Sequence, residues 1–428
     1  MLNFMRKRFF FIKLVFCATI SILVYLSFRI HLINDYSAKI IIFFLLIQSV
    51  VWSFLYFNKK GIKTVVTYNL FIFVILNLLL TPIFHLLTFD VPTRQPNYSI
   101  TKKYDSDFFK GMFSGIHFIS SDEKGFRTNK KINYADKDQK TLRIFTIGGS
   151  TTEEGTTDDK KTWSSLLGLK LQKKNKKNVE VINAGMAGLR TEHHYITLKR
   201  IKKYKPDVVI FMTGINDWNH HIVKSELKYL IPKFEIRYDF KKSLLAKIYR
   251  NIEKQIHRKI IGNKEKTFNT VNAETDTEMY LLPQINSLNK REYTKEFRPN
   301  NVSKDYDLWI NLIIKECNKK NFICIFLEQP TAYNENVSEK LIKRLWMTPP
   351  NQNYTLSLKD LIHISTIYNN WLENIITKNK LNFVTLTNKI EPNTQYLTDD
   401  CHFSEKGSDV VSDVLADYMN LSLKSILN

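Results

Sequence analysis

The chain has 428 residues, and its 63 Lys and Arg against 41 Asp and Glu give a formal net charge of +22. Four cysteines are too few for the disulfide framework of a small secreted scaffold. The basic balance favours an anionic partner, and the absence of any nucleic-acid-binding motif excludes nucleic acid as the expected one. An anionic membrane surface, an acidic glycan or a plain compositional bias each account for the charge.

Three apolar stretches, residues 9–28, 40–57 and 65–89, dominate the N-terminal part. Each has about the length that crosses a hydrocarbon core of about 30 Å, so we expect residues 1–90 to be a membrane anchor of three transmembrane helices. A cleaved signal peptide is disfavoured because no small-x-small site ends the first stretch. Basic residues precede the first stretch and fill the loop between the second and third. The positive-inside rule therefore places the chain from Asp90 onward on the periplasmic or extracellular side of a bacterial inner or plasma membrane, with the lipid bilayer as a partner.

Residues 91–140 are a polar connector, within which Gly125, Phe126 and Arg127 are expected to dock on the following domain. From residue 141 to 428, apolar runs alternate with helical patterns, which predicts an α/β fold with a parallel sheet covered on both faces. Insertions at 219–304 and 331–353 interrupt the alternation and are expected to shape substrate access. The predicted strands are 143–147, 179–183, 208–213, 322–327 and 383–386, and the predicted helices are 163–174, 191–204, 306–320, 358–380 and 405–419.

Four short blocks carry the chemistry, and three of them directly follow predicted strands. They contain Ser150, Gly188, Asn216 and the pair Asp399 and His402. A serine hydroxyl becomes nucleophilic when a histidine takes its proton, and a carboxylate holds that histidine in the right tautomer. A glycine amide and an asparagine side chain are suitable donors for the oxyanion that forms. Taken singly, each residue is more typical of a turn, a helix cap or a surface, so the prediction rests on the four blocks together.

These blocks resemble those of the SGNH/GDSL hydrolase superfamily, named for its Ser, Gly, Asn and His blocks. The resemblance implies a three-layer α/β/α, flavodoxin-like fold with about five parallel strands. It implies Ser150, Asp399 and His402 as catalytic residues and Ser150, Gly188 and Asn216 as the oxyanion hole. The chain departs from the family's usual Gly-Asp-Ser at Gly149, which leaves the geometry of this loop open.

The resemblance and the predicted topology together imply an esterase or O-acyltransferase acting on O-acyl, often O-acetyl, groups of envelope carbohydrate. Two alternatives stay open: a lipase or lysophospholipase at the membrane face, and a non-catalytic envelope protein that binds carbohydrate or assists assembly. An acylated carbohydrate or lipid is the expected substrate, and no cofactor is expected.

The remaining cysteines and histidines suggest no metal site. Cys317 and Cys324 flank a predicted helix-to-strand connection and are candidates for pairing, although Cys324 also has the pattern of a buried strand residue. Cys401 stands next to His402 and is expected to line the site. The adjacent pairs His193–His194 and His220–His221 lack nearby partners at ligand spacing, and we expect them to be solvated or to line a groove.

Overall fold

Strands and helices alternate along most of the chain. The computed structural model describes residues 94, 96–104, 109–128, 130–174, 178–224, 270–271, 293–346 and 353–423, all of which belong to one compact unit. Its strands are β1 (Ser99–Tyr104), β2 (Gly115–Ser120), β3 (Thr141–Gly148), β4 (Asn178–Asn183), β5 (Val208–Met212), β6 (Thr270–Val271), β7 (Tyr293–Lys295), β8 (Ile323–Leu327), β9 (Tyr354–Leu356) and β10 (Asn382–Val384). Its α-helices are α1 (Ser150–Glu153), α2 (Trp163–Lys174), α3 (Thr191–Ile201), α4 (Ile215–Lys224), α5 (Lys304–Cys317), α6 (Glu339–Ile342), α7 (Leu358–Lys378) and α8 (Glu405–Ser422).

Five of these strands form one parallel sheet in the order β10–β8–β5–β3–β4. Strands β3 and β5 pair from Ile144 opposite Val208 to Gly148 opposite Met212, so their carboxyl ends are level. Every residue of both strands is buried, as expected for strands covered on two faces. The α/β fold with five parallel strands predicted from the sequence is confirmed. In such a sheet the ligand crevice lies beyond the carboxyl ends of the strands.

Helices cover both faces of this sheet. On one face, Trp163 of α2 and Val411 of α8 pack in a core with Ile144 of β3. On the other face, Ile310 of α5 belongs to a second core with Phe145 of β3. The neighbours Ile144 and Phe145 serve opposite faces because successive strand side chains alternate. Full burial of each large apolar side chain contributes roughly 1.5–3 kcal/mol of stability.

Several elements differ from the sequence-based prediction. The predicted polar connector contains the antiparallel hairpin β1–β2, and β1 also pairs with β6. Strand β2 was missed because its buried positions are His117 and Ile119 while Ile116 and Phe118 are exposed, which reverses the expected apolar pattern. The strand predicted at 383–386 begins and ends earlier, at β10. The short pair β7–β9 was also not foreseen.

Most of the N-terminal part and of the insertion 219–304 lies outside the described residues. The three apolar stretches belong to this undescribed part, so the transmembrane anchor stays a prediction. In the part of the chain that the structure describes, no helix combines the length and apolarity needed to cross a membrane. Of the insertion, residues 219–224 continue α4, and residues 270–271 and 293–295 form β6 and β7.

Cys317 and Cys324 form a disulfide, with their Cα atoms 5.9 Å apart. Cys317 is the last residue of α5, and Cys324 is a buried residue of β8. The sequence left open whether these residues pair, and the structure shows that Cys324 is at once a strand residue and a disulfide partner. The bond fixes the short connection between α5 and the sheet.

Candidate active site

The four sequence blocks meet at the carboxyl edge of the central sheet. Ser150 is the first residue of α1, directly after β3, and Asn216 is the second residue of α4, which follows β5. Gly188 lies in the loop between β4 and α3, while Asp399 and His402 lie in the loop before α8. Because parallel strands end at one edge, the fold brings together Ser150 and His402, which are 252 positions apart.

Ser150, His402 and Asp399 form one hydrogen-bonded row. Ser150 Oγ lies 2.8 Å from His402 Nε2. His402 Nδ1 lies 2.8 Å from each carboxylate oxygen of Asp399. Because a carboxylate only accepts hydrogen bonds, Nδ1 carries the ring proton and Nε2 is left to accept from the serine hydroxyl. A hydroxyl held against an oriented imidazole is the arrangement that activates an oxygen nucleophile.

A tight turn brings Asp399 against the ring three positions later. The backbone N–H groups of Cys401 and His402 each donate to Asp399 Oδ1 at 3.0 Å. The Thr398 N–H donates to the His402 carbonyl at 2.8 Å and closes the loop. Such side-chain-to-backbone bonds are typical of aspartate in turns, so the Asp-x-x-His spacing fixes the orientation of the carboxylate locally.

Asp399 and His402 stabilise each other's charged forms. Burial raises the pKa of Asp399, but the His402 charge and the hydrogen bonds from the turn outweigh burial and leave this pKa below its ordinary value. Burial lowers the pKa of His402, but the Asp399 carboxylate outweighs it and holds this pKa well above the ordinary 6.5. The pair therefore stabilises the imidazolium that forms when the ring takes a proton.

The Asn216 amide lies directly over Gly149, the residue before Ser150. A Cβ atom added to Gly149 would be 2.6 Å from Asn216 Nδ2, closer than any ordinary contact. Asn216 Nδ2 donates one hydrogen bond to the Leu189 carbonyl at 2.9 Å. A primary amide carries two N–H bonds, and Leu189 accepts one of them. A side chain at position 149 would therefore have to displace the Asn216 amide from its hydrogen bond to Leu189.

Gly188 lies in an exposed turn and has a φ of +74°, a backbone conformation that glycine adopts without strain. The Met186 N–H donates to the Gly148 carbonyl at 3.2 Å, which ties this turn to the end of β3. Leu189, the next residue after Gly188, holds the Asn216 amide. The segments that carry Gly188 and Asn216, the two predicted oxyanion donors other than Ser150, are therefore joined by a direct hydrogen bond.

Sequence reasoning missed Glu153, which links the helix of Ser150 to the turn of Gly188. One carboxylate oxygen of Glu153 pairs with Arg94, and the other accepts the backbone N–H of Ala187. Ala187 directly precedes Gly188, so Glu153 fixes the turn that carries the glycine amide. The available sequence signal was its spacing, because a residue three positions after Ser150 lies about one helical turn away.

Arg127 anchors the predicted connector to the segment that follows α1. It is 2 % exposed, and its guanidinium pairs with Asp159 at 2.7 Å. It also donates to the carbonyls of Glu154 and Thr157, at 2.6 and 2.7 Å. Its backbone forms an isolated β-bridge with Asn183 at the end of β4. The segment around Arg127 therefore docks as the sequence suggested, and removing one partner of this buried ion pair would cost about 3–5 kcal/mol of stability.

Glu154, which directly follows α1, is a buried acid that sequence reasoning also missed. The Trp163 N–H donates to its Oε2 at 2.7 Å, and its Oε1 is hydrogen-bonded to Ser408. The Ser408 hydroxyl also donates to the Ser404 carbonyl at 3.0 Å. A protonated Glu154 can therefore donate its own proton to the Ser408 oxygen, so that Glu154, Ser408 and the Ser404 carbonyl all stay hydrogen-bonded. Burial raises the pKa of Glu154 to about 8, which makes the neutral acid the main form at neutral pH.

Asp217 ties the start of α4 to the start of α3. Its Oδ1 accepts from the Thr191 hydroxyl at 2.7 Å and from the Thr191 N–H at 3.3 Å. Burial raises the pKa of Asp217 to about 7. Asn216 is therefore held through its own amide by Leu189 and through its neighbour by Thr191.

A group of possible metal ligands coincides with the Asp–His pair. Among the described residues, Asp399, Cys401 and His402 offer ligand atoms within 4.8 Å of one another. Asp399 and His402 already bond each other through these atoms, so we assign no metal to the group. Cys401 is buried, and its Sγ lies 3.8 Å from His402 Nδ1, so this thiol lines the pair as the sequence suggested.

The prediction that the paired histidines are solvated or line a groove was wrong for His194. Its side chain is 1 % exposed, and burial lowers its pKa to about 3, so the ring is neutral. His221 bonds the Tyr368 hydroxyl through Nδ1 at 3.0 Å. His194 lies on the buried face of α3 with Thr197 and Leu198, which its sequence position next to His193 did not indicate.

The model of the GDSL-like Lipase/Acylhydrolase family matches residues 146–410, more than half of the chain and the part that contains all four blocks. The chain belongs to this family. The resemblance stated from the sequence is thus confirmed. The activity class of this chain is that of the family, acyl-ester hydrolysis. No curated protein matches the chain significantly.

Several solved structures are similar to part of this chain at low identity. The acetylxylan esterase Axe2 from Geobacillus stearothermophilus is 12 % identical, with 68 % of this chain and 98 % of that chain covered and a TM-score of 0.36. A GDSL-like lipase from Bacteroides thetaiotaomicron is 13 % identical, with coverages of 67 % and 91 % and a TM-score of 0.34. The psychrotrophic esterase EstA from a Pseudoalteromonas species is 12 % identical, with coverages of 66 % and 99 % and a TM-score of 0.34.

Proposed function

We propose that this chain is a serine-dependent acyl-ester hydrolase with Ser150 as the nucleophile, His402 as the general base and Asp399 as the group that orients His402. The observation that carries the proposal is the hydrogen-bonded row, with 2.8 Å between Ser150 Oγ and His402 Nε2 and 2.8 Å between His402 Nδ1 and Asp399. Both distances suit direct proton transfer and orientation without any rearrangement.

Acylation begins when His402 Nε2 takes the Ser150 hydroxyl proton as Oγ attacks the ester carbonyl carbon. Asp399 stays ionised and stabilises the resulting imidazolium. The negative charge that develops on the former carbonyl oxygen is met by the Ser150 and Gly188 N–H groups and the Asn216 amide. His402 then gives its proton to the departing alcohol oxygen, which leaves the acyl group on Ser150.

Deacylation repeats these steps with a new acceptor. His402 removes a proton from the acceptor, whose oxygen attacks the acyl carbon, and then returns the proton to Ser150 Oγ. If the acceptor is water the reaction is hydrolysis, and if it is another alcohol the reaction is acyl transfer. We propose hydrolysis as the principal reaction because water needs no binding site of its own.

We further propose that the substrate is an O-acyl ester, in particular an O-acetyl ester, of envelope carbohydrate, and that the domain acts outside the cytoplasm. Two features support this location. The charge pattern around the three apolar stretches follows the positive-inside rule. The disulfide between Cys317 and Cys324 suits an oxidising compartment. The net charge of +22 suits an acidic glycan or an anionic membrane surface.

The test is the hydrolysis of a short-chain nitrophenyl ester by the wild type, Ser150→Ala and His402→Ala. Both variants should lose nearly all activity, because the nucleophile and its base act as a unit. Circular dichroism and thermal melting provide the folding control. Equal rates for the wild type and Ser150→Ala would overturn the proposal, and if the protein still bound glycan it would be a non-catalytic carbohydrate-binding protein. A preference for long-chain over acetyl esters would favour the lipase alternative.

A further inference from the structure

Trp346 lies beside the general base. Its ring centroid is 6.1 Å from that of His402, with the two ring planes at 46°. The side chain is partly exposed, although the four residues before it include the buried Leu345 and Arg344. It is the last residue of the described stretch 293–346 and belongs to the 331–353 insertion, for which the sequence predicted a role in substrate access.

The position of Trp346 is fixed from the catalytic loop itself. The Trp346 N–H donates to one carboxylate oxygen of Asp400, and the Tyr333 hydroxyl donates to the other at 2.8 Å. The Asp400 carbonyl also accepts the Ala332 N–H at 2.8 Å. Asp400 directly follows Asp399, so the insertion and the loop of His402 are bound into one unit. The buried Asp400 carboxylate thus ties Tyr333 and the Trp346 backbone to the loop of His402, and this keeps the indole beside the imidazole.

The chemistry of the site decides which part of a substrate meets this indole. The oxyanion donor Asn216 lies over Gly149, on the element that carries Ser150. His402 must hand its proton to the departing alcohol, so that alcohol has to lie against the imidazole. A side chain next to the imidazole therefore flanks the alcohol portion of the ester rather than its acyl group.

We propose that Trp346 is a stacking subsite for the sugar ring of the departing alcohol. This inference rests on the proposed function and assigns the element that recognises the carbohydrate. A pyranose ring has a face of C–H groups that packs on an aromatic ring and an edge of hydroxyls that needs polar partners. An indole supplies the first, with two rotatable bonds to fix.

The surroundings of Trp346 favour a sugar over a lipid chain. The Arg344 guanidinium is close enough to Asp399 for their charges to interact. The buried Asp400 carboxylate accepts from the Trp346 N–H and from the Tyr333 hydroxyl. An acyl or alkyl chain would require a continuous apolar wall. The described neighbours Arg344, Tyr333 and Asp400 are buried and do not form such a wall, so the indole presents an isolated apolar face of the size that one sugar ring covers.

The experiment keeps the acetyl group constant and varies the alcohol. The substrates are ethyl acetate, octyl acetate and a mono-acetylated methyl glucopyranoside, and the variants are Trp346→Ala and Trp346→Phe. Trp309→Ala is the matched control, because Trp309 packs on Tyr195 between α3 and α5, away from the row. Thermal melting reports folding, and the pH profile on ethyl acetate reports whether the environment of His402 has changed.

Trp346→Ala should lower kcat/KM for the acetylated glucoside by about tenfold, mainly through KM, in line with the loss of one aromatic contact. Its activity on ethyl acetate should stay within about twofold, since an ethyl group cannot cover the ring. Trp346→Phe should recover most of the loss, and Trp309→Ala should match the wild type on every ester.

Three outcomes would overturn the inference. Equal loss on ethyl acetate and the glucoside, with a shifted pH profile, would make Trp346 a support for His402. A selective loss on octyl acetate would make it part of a lipid site. Unchanged activity of Trp346→Ala on the glucoside would exclude a contact. By contrast, a wild type inert on all three esters would refute the proposed function itself, and the inference would fall with it.

Discussion

Replacing Gly149 by alanine should displace the Asn216 amide from the place where an oxyanion would form. The new Cβ would lie 2.6 Å from Asn216 Nδ2, whereas ordinary contacts begin at 3.4 Å. The amide would have to retreat by the difference, 0.8 Å, and would strain its 2.9 Å hydrogen bond to the Leu189 carbonyl. The φ of Gly149 is −84°, so the obstacle is the neighbouring amide rather than a left-handed backbone.

This displacement sets the size of the expected effect. A misplacement of about 1 Å in a catalytic arrangement costs about 10²-fold in rate, and complete loss of one oxyanion donor costs about 10²–10³. Gly149→Ala should therefore lower kcat/KM for a small acetyl ester by about 10², approaching the loss in Asn216→Ala. Gly149→Asp, which restores the family's usual Gly-Asp-Ser, should lower the activity as well, although a simple motif argument would expect it to help.

A double-mutant cycle supplies the assay. Steady-state hydrolysis is measured for Gly149→Ala, Asn216→Ala and the double variant, with melting temperatures as the folding control. In the Asn216→Ala background the alanine at position 149 has no amide to displace, so its effect should shrink to within about threefold. A full 10²-fold loss in that background would refute the reasoning, because Gly149 would then act through another group.

Three further predictions concern ionisable groups. The rate of hydrolysis should rise with pH as His402 loses its proton, and the pKa of His402 is held above 6.5 by Asp399. Asp399→Asn should move this rise to lower pH and lower kcat by about 10⁴. Glu153→Ala should lower kcat/KM by about tenfold by releasing the turn of Gly188, while Glu153→Gln, which keeps an acceptor, should retain most of the activity; equal losses would contradict this positioning role. The folded-state pKa of Glu154, about 8, is above its ordinary 4.5, so its contribution to stability is full below pH 4.5 and is lost as pH rises through 8. Urea unfolding should therefore show that the wild type loses stability relative to Glu154→Gln over that range, by up to about 1.4 kcal/mol of unfolding free energy per pH unit. Parallel curves of stability against pH for the two proteins would contradict the raised pKa.

The central sheet was predictable because its strands are buried on both faces and leave continuous apolar runs, as in 143–147 and 208–213. The blocks with Ser150, Gly188 and Asn216 were predictable because residues after such strands share one edge. Asp399 and His402 were assigned by their resemblance to the family's Asp-x-x-His block.

The supports of the site were not predictable, because they depend on contacts between distant segments. Glu153 bonds both Arg94 and the turn of Gly188, and its spacing to Ser150 indicates neither of these partners. Burial of Glu154 is visible only once α8 packs beneath α1. The hairpin β1–β2 was missed because a histidine occupies one of its core positions. Tertiary packing decided each of these cases against the local pattern.

The central claim, that Ser150 is the nucleophile, is tested most directly by covalent trapping with a fluorophosphonate. Attack by Ser150 Oγ on phosphorus, with loss of fluoride, leaves a stable phosphonyl adduct that peptide mass spectrometry can locate. The account predicts one phosphonyl group on the Ser150 peptide of the native wild type, much slower labelling of His402→Ala and none of Ser150→Ala. Labelling at another residue, or of Ser150→Ala at the wild-type rate, would contradict it.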